Sequence, residues 1–251
     1  MAKYGSGDVA FVLLDGYSLA GYTTEFSDEI EALTEETTVL GDTYEAVAAV
    51  GMKKAKFSWK GFYDDTALAA NAALVTASGT GPGTARVMCY GIATNAKGKK
   101  FTGYLGAMED KYSRIASRGA LHKAEASFTG QGEVLEGDIL HELTAETSAS
   151  GNSDASSVDN GAASSNGGRG FLQVTAITLG GYTSFTVTNR MSTDNISFVA
   201  GQAFSAVTAR GALTGSIGAG GSVYRYMSSG WVFNGAGSGQ TATFMCGFAR
   251  K

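Results

Sequence analysis

The stretch "KAKFSWKGFYDDTALAA", Lys54–Ala70, decides how the first half of this chain folds. From Lys54 to Lys60 the alternation is strict. Ala55, Phe57 and Trp59 fall on one side and Lys54, Lys56, Ser58 and Lys60 on the other, which is the period-two pattern of a half-buried strand. Gly61 is expected to end that strand, and Asp64 or Asp65 then stands where a helix N-cap belongs. Leu68, Ala72 and Val75 follow at helical spacing, and Gly79 with the "GPG" of Gly81–Gly83 is expected to stop the helix. Two adjacent carboxylates invite a reading as acid and base. Catalysis would require burial to split their pKa values, whereas capping needs only the helix dipole, so capping is the expected role.

Around this stretch the pattern is one of strands. "ARVMCYGIAT" and "KFTGYLGAM" are joined by the hairpin-like turn "NAKGK", and "KYSRIAS" and "LHKAEASFTGQG" continue the sheet. Upstream, six acids lie between Glu25 and Glu36, and that density predicts an extended loop facing solvent or a partner, with a turn at Gly41-Asp42. Glu146–Gly170 is Ser-, Gly-, Asn- and Ala-rich and is expected to be a linker or a surface-laid arm. It would separate a first domain, 1–145, from a second, 171–251. The second reads as all-β, with the runs "GFLQVTAITL", "YTSFTVTNR", "ISFVAG", "FSAVTARG", "SVYRYMSSG", "WVFNG" and "ATFMCGFAR", as expected for a β-sandwich of immunoglobulin-like or jelly-roll kind.

Composition excludes several functions. The 251 residues carry 36 glycines, one proline and a net charge of -4. Met1–Ala145 holds 13 basic and 19 acidic residues, net -6, while Glu146–Lys251 holds 6 and 4, net +2. Neither half offers the basic patch of a nucleic-acid binder. The apolar run Val9–Leu14 is too short for a signal sequence or a membrane span. Cys89 and Cys246 are far apart and belong to no metal-binding motif, so both are expected as reduced core residues; His122 and His141 each lack a second histidine at ligand spacing. The glycine clusters "GTGPG" and "GAGSGQ" have no phosphate-loop context, no nucleophile elbow is present, and Phe57 and Trp59 read as core. No enzyme, cofactor or metal is expected.

The order of motifs carries a resemblance. An acidic segment, then "TTVLGDTYEAVAAVGMKKAKFSWKGFYDD", a helix and a hairpin follow one another, and together they resemble the major tail proteins, or tail tube proteins, of long-tailed (siphophage-like) bacteriophages. The residues that carry it are Thr37, Thr38, Gly41, Asp42, Gly51, Ser58, Gly61, Phe62, Tyr63 and Asp64; "SVDNGAASSNGGRGFLQVTA", "VYRYMSSGWVF" and "TFMCGFARK" resemble a C-terminal domain of such proteins. The resemblance implies a mainly β fold: a β-sandwich with one flanking helix that packs into a ring, contributing strands to a barrel-like lumen, plus the C-terminal sandwich. It further implies a virion protein assembled in the host cytoplasm, in hexameric stacked rings, or trimeric ones if the second half is also a tube domain. Its partners would be the tape measure protein and the tail terminator and tip proteins, with DNA passing through and no membrane involved. The expected assembly surface comprises Glu29, Glu31, Glu35 and Glu36 with Lys54, Lys56 and Lys60, meeting within one subunit or, as hypothesised, across the contact between rings, together with Phe62 and Tyr63. The alternative is a carbohydrate-binding decoration or adhesin protein using Tyr224, Tyr226 and Trp231.

Overall fold

A computed structural model describes residues 9–36, 47–66, 70–79, 85–92, 94–116 and 118–251. The fold is mainly β, with one α-helix among these residues. The strands are β1 (Val9–Leu14), β2 (Tyr17–Ser18), β3 (Thr23–Glu36) and β4 (Val47–Phe62), then the helix α1 (Ala70–Gly79), β5 (Arg86–Ile92), β6 (Lys100–Ile115) and β7 (Lys123–Glu146). The second half adds β8 (Ser150–Asn152), β9 (Val158–Asp159), β10 (Gly168–Thr178), β11 (Ser184–Ser192), β12 (Val199–Ala203), β13 (Gly211–Ile217), β14 (Tyr226–Asn234) and β15 (Thr241–Arg250).

Two sheets hold them. The larger runs β13-β10-β15-β7-β6-β5-β1-β2, with β4 also on β7 and β3 outermost on β4; the smaller runs β12-β11-β14-β8, with β9 also on β14. β7 is the hub. One side of it pairs with β6 from Lys123 to Asp138. The other side takes β4 along Lys123–Thr129 and β15 along Asp138–Glu146. All these neighbours are antiparallel, so each strand can present one face to a core and the other outward.

Three apolar layers follow from that alternation. Beneath α1, Ala73 and Leu74 meet Trp59, Phe57, Phe128 and Tyr104. On the opposite face of the central strands, Phe11, Leu13, Cys89, Phe101 and Ile139 pack against Phe171, Met245 and Ala249 of β10 and β15. The other faces of β10 and β15, through Leu172, Val174, Phe244 and Cys246, meet Phe185, Val187 and Phe233 of the small sheet. The second half is thus two facing sheets, and its larger sheet continues into the first half.

Several expectations are corrected here. The acidic run is a strand, β3, because Phe26 turns inward against Phe57 and Tyr90, with ring centroids at 4.7 and 4.5 Å. Gly61 does not end β4, which continues to Phe62. Its task is to leave room: a Cβ there would stand 2.3 Å from the Trp59 ring and 2.3 Å from the Tyr22 carbonyl oxygen. The stretch 146–170 keeps its linker composition but supplies β8 and β9, both paired with β14, and the start of β10, so it is laid on the sandwich as an arm. "SVYRYMSSG" and "WVFNG" merge into β14, and "KFTGYLGAM" and "KYSRIAS" into β6. "FSAVTARG" makes only an isolated bridge, Phe185–Val207. β13, "GALTGSI", was not expected, since its small residues give little strand signal.

Candidate assembly surface

β3, β4, the first part of β7 and the last part of β6 form a four-stranded sheet whose two faces differ in kind. The register sets Ala55, Phe57 and Trp59 opposite Ile30, Asp28 and Phe26, on the side covered by α1. Trp59 is fully buried, and its indole N–H donates to Thr23 Oγ1 at 2.8 Å. Asp28 lies at the edge of this apolar side, where it accepts the hydroxyl of Tyr90. Burial, followed by that carboxylate, pushes the Tyr90 hydroxyl pKa well up.

The opposite face is polar from Lys54 to Lys60. Lys54, Lys56, Ser58 and Lys60 on β4 stand opposite Glu31, Glu29, Ser27 and Glu25 on β3. Lys60 Nζ donates to Glu25 at 2.8 Å, Ser27 and Ser58 hydroxyls share a hydrogen bond of 2.7 Å, and Lys56 Nζ approaches Glu31 at 3.9 Å. The hydrogen bond to Glu25 holds the Lys60 ammonium above its usual pKa. The acidic run and the lysine strand therefore meet across a hairpin of the same chain. Glu35 and Glu36 belong to the same strand, opposite Ala48 and Val47, and their side chains lie outside the described residues. Thr37, Thr38, Gly41, Asp42, Leu68 and Gly81–Gly83 also lie outside them.

β7 and β6 extend this face with residues that the sequence reading passed over. Glu125, Ser127 and Thr129 stand opposite Lys60, Ser58 and Lys56, and Lys111 and Ser113 follow on β6. The signal was available in "KAEASFTG", where Ala124, Ala126 and Phe128 alternate with the polar set.

Both long edges of this sheet are free among the described residues. β3 pairs only with β4. β5 pairs with β6 only between Thr102 and Ala107, so the side of β6 away from β7 carries no strand from Met108 to Ile115. At one end the strands finish flush, at Phe62, Lys123 and Ile115. Phe62 is exposed there, and the Tyr63 N–H donates to the His122 carbonyl at 3.0 Å, with the Tyr63 and His122 rings 6.5 Å apart.

The paired aspartates take no acid–base geometry. Asp64 Oδ1 accepts from the Thr66 N–H at 2.9 Å and its hydroxyl at 2.8 Å, and the Asp64 carbonyl accepts from the Asn71 N–H at 3.1 Å. The two bonds from Thr66 form a local turn and hold the Asp64 pKa below its ordinary value, and because α1 begins only at Ala70, neither Asp64 nor Asp65 is the N-cap that was expected. Cys89 and Cys246 are buried free thiols, and burial pushes Cys89 up to about 12. Among the described residues no three His, Cys, Asp or Glu side chains converge in a metal-binding group, and no helix is long and apolar enough to cross a membrane. His141 stacks on Phe244 with centroids 4.0 Å apart, and Trp231 meets both edge-on, so Trp231 serves the core. A cleft of about 600 Å³ beside Tyr90 and Phe101 has Lys99, Lys100 and Glu136 at its rim, all exposed.

No family model matches the chain, and no curated protein matches it. Solved structures similar to it include the virion of a native gene transfer agent particle, at 15% identity over 53% of this chain and 97% of that one, TM-score 0.42. Another is the tail of an empty gene transfer agent particle, refined helically with C6 symmetry, at 14% identity over 53% and 97%, TM-score 0.40. A third is the SPP1 Dit protein, described as a hub of the adsorption apparatus in phages infecting Gram-positive hosts, at 9% identity over 96% and 99%, TM-score 0.35.

Proposed function

We propose that the chain is a structural subunit of a bacteriophage tail tube, self-assembling into stacked rings that form a channel for DNA. The observation that carries this reading is the four-stranded sheet with a core-packed face, a polar face and two unpaired long edges. Unpaired edges are a hazard that ring closure removes. In the proposed ring the β3 edge of one copy joins the Met108–Ile115 edge of β6 in the next, continuing one sheet round a lumen.

Strand geometry favours six copies. With four strands per copy, ~4.8 Å strand spacing and a tilt of ~40°, six copies give a barrel ~48 Å across between backbones, and three copies ~24 Å. Side chains lining the narrower barrel would exclude B-DNA, which is about 20 Å wide with grooves ~8 Å deep.

The polar face suits the lumen. Lys54, Lys56, Lys60 and Lys111 number four, and Glu25, Glu29, Glu31 and Glu125 number four, so these charges cancel. A balanced lining neutralises few phosphates and lets a duplex slide. Residues 1–145 form the tube unit in this reading, and the sandwich built from 171–251 faces outward. The tape measure protein would fill the lumen before DNA, terminator and tip proteins would cap the ends, and the chain would reside in the virion after assembly in the host cytoplasm.

Electron microscopy of the purified chain tests this. Rings or hollow tubes are the expected outcome, and a protein that stays monomeric at high concentration would sink the reading.

A further inference from the structure

The arm 146–170 carries two of the three Asn-Gly steps in the chain, Asn160-Gly161 and Asn166-Gly167; the third, Asn234-Gly235, lies at the end of β14. At such a step the side-chain amide and the next backbone nitrogen can reach one another, because glycine puts no side chain between them. Their reaction is governed by how each asparagine is held.

Asn234 and Asn160 are tied down. Asn234 Nδ2 donates to Ser184 Oγ at 3.0 Å and to Thr186 Oγ1 at 2.8 Å. Asn160 Nδ2 donates to the Arg225 carbonyl at 3.0 Å, and the Gly161 N–H beside it donates to Asp159 Oδ1 at 2.8 Å. Asn166 differs. It is exposed, its backbone N–H donates to Ser164 Oγ at 3.2 Å, and neither its side chain nor the Gly167 N–H makes a hydrogen bond among the described residues. The turn itself demands glycine after it: Gly167 has a φ of +72°, and a Cβ there would stand 2.2 Å from the Ile217 carbonyl oxygen. A backbone that admits no side chain at 167 thereby leaves that nitrogen open to the neighbouring amide.

We propose that Asn166 is a site of spontaneous covalent modification, the one of the three at which the folded chain converts asparagine to isoaspartate and aspartate with water as the only co-reactant. The Gly167 nitrogen, its proton taken by hydroxide, forms a bond to Asn166 Cγ. The Cγ–Nδ2 bond then breaks, and Nδ2 leaves as ammonia after taking a proton from water. The product is a five-membered succinimide, which water opens in either of two ways. Breaking the ring nitrogen's bond to the main-chain carbonyl carbon gives isoaspartate, with the backbone lengthened by one carbon, and breaking its bond to Cγ gives aspartate. The added carbon falls just before β10, where the Lys251 N–H donates to the Gly167 carbonyl at 3.1 Å and Ser164 Oγ donates to the Lys251 carbonyl at 3.2 Å. The isoaspartate form therefore loosens the grip of this turn on the residue that follows β15.

The test incubates the wild-type chain at mildly alkaline pH, folded and, in parallel, unfolded in urea. Each Asn-Gly peptide is followed by mass spectrometry, and isoaspartate is counted with an isoaspartate-specific methyltransferase. Unfolded, the three steps present the same pair of residues and should convert at similar rates. Folded, Asn166 should convert about tenfold faster than Asn160 or Asn234, the factor expected where two hydrogen bonds must first break. Asn166→Gln should remove most of the isoaspartate gained by the folded chain and leave the other two steps unchanged; if that variant does not fold, the wild-type ranking decides alone. A folded chain in which Asn160 or Asn234 converts as fast as Asn166 would overturn the proposal, as would an Asn166 that stays intact while the unfolded chain reacts.

Discussion

Glu109 lies on β6 opposite Phe128, on the face that α1 covers, and both its carboxylate oxygens are shielded from solvent without a hydrogen-bond partner. Arg86, whose charge acts on it, is committed to Asp15 at 3.1 Å and to the Ala73 carbonyl at 2.8 Å. Burial pushes the Glu109 carboxyl up to about 7, with Arg86 only partly opposing it. Between the ordinary 4.5 and about 7, the folded chain holds a proton that the unfolded chain has released, so stability falls as pH rises through that window and levels off above it. Glu109→Gln keeps the shape and removes the buried charge, so it should stabilise the protein at pH 8 by about 1–3 kcal/mol, the desolvation cost of that charge discounted for partial exposure. Thermal melts should show the gap closing toward pH 4; a gap independent of pH would refute the assignment. A second residue-scale expectation concerns Gly61. Gly61→Ala forces its Cβ into the Trp59 ring and a backbone oxygen, and overpacking of that kind costs about 1–3 kcal/mol, readable by denaturant unfolding.

At the scale of elements, the β3–β4 hairpin is held together on one face by burial and on the other by charge. Reversing Lys54, Lys56 and Lys60 to Glu places like charges opposite Glu31, Glu29 and Glu25. Exposed pairs are worth about 0–1 kcal/mol each, so the variant should melt only a few degrees lower at low salt and approach wild type at high salt. A salt-independent loss would mean that the lysine stems, and not the charges, hold the hairpin. The Lys54–Lys60 part of β4 was legible because Ala55, Phe57 and Trp59 alternate strictly with Lys54, Lys56, Ser58 and Lys60, but its first residues, Val47–Lys53, were not read as strand. β3 was hidden, since only Phe26 and Ile30 mark its inner side while Asp28 shares that side with them, and local charge density masks a period of two. The existence of the helix was legible but its face was not: Leu68, Ala72 and Val75 were expected to mark it, whereas Ala70, Ala73 and Leu74 are buried, Val75 is 40% exposed and Leu68 lies outside the described residues. The polar face became visible only once register joined four separate segments, because cross-strand neighbours leave no local trace in a sequence.

The two halves depend on each other at the scale of the whole molecule. β15 pairs with β7, the layer of Phe101 and Ile139 is completed by Phe171 and Met245, and Gln173 bonds both the Gly16 N–H at 2.7 Å and the Val87 carbonyl at 3.0 Å. Arg210 also stacks on Tyr17, with its guanidinium carbon 3.8 Å from the ring centroid. A fragment ending at residue 146 would expose that layer and leave the Asp138–Glu146 edge unpaired. It should aggregate or bind a hydrophobic dye, and a soluble, cooperatively melting fragment would show instead that the first half folds alone. Composition marked a boundary at 146–170, but composition reports what a segment lacks and not where its neighbours go.

The position of β15 also has a consequence in time. Its first residue, Thr241, is synthesised 95 residues after Glu146, the last residue of β7. At about 5–20 residues per second on the ribosome, the far half of β7 waits on the order of 5–20 s for its neighbour. Throughout that interval the nascent chain offers an open strand edge beside an uncovered aromatic layer. Slow translation or crowded polysomes should therefore favour strand exchange between growing chains, and a chaperone that shelters β7 until β15 emerges would raise the yield of correctly folded subunits.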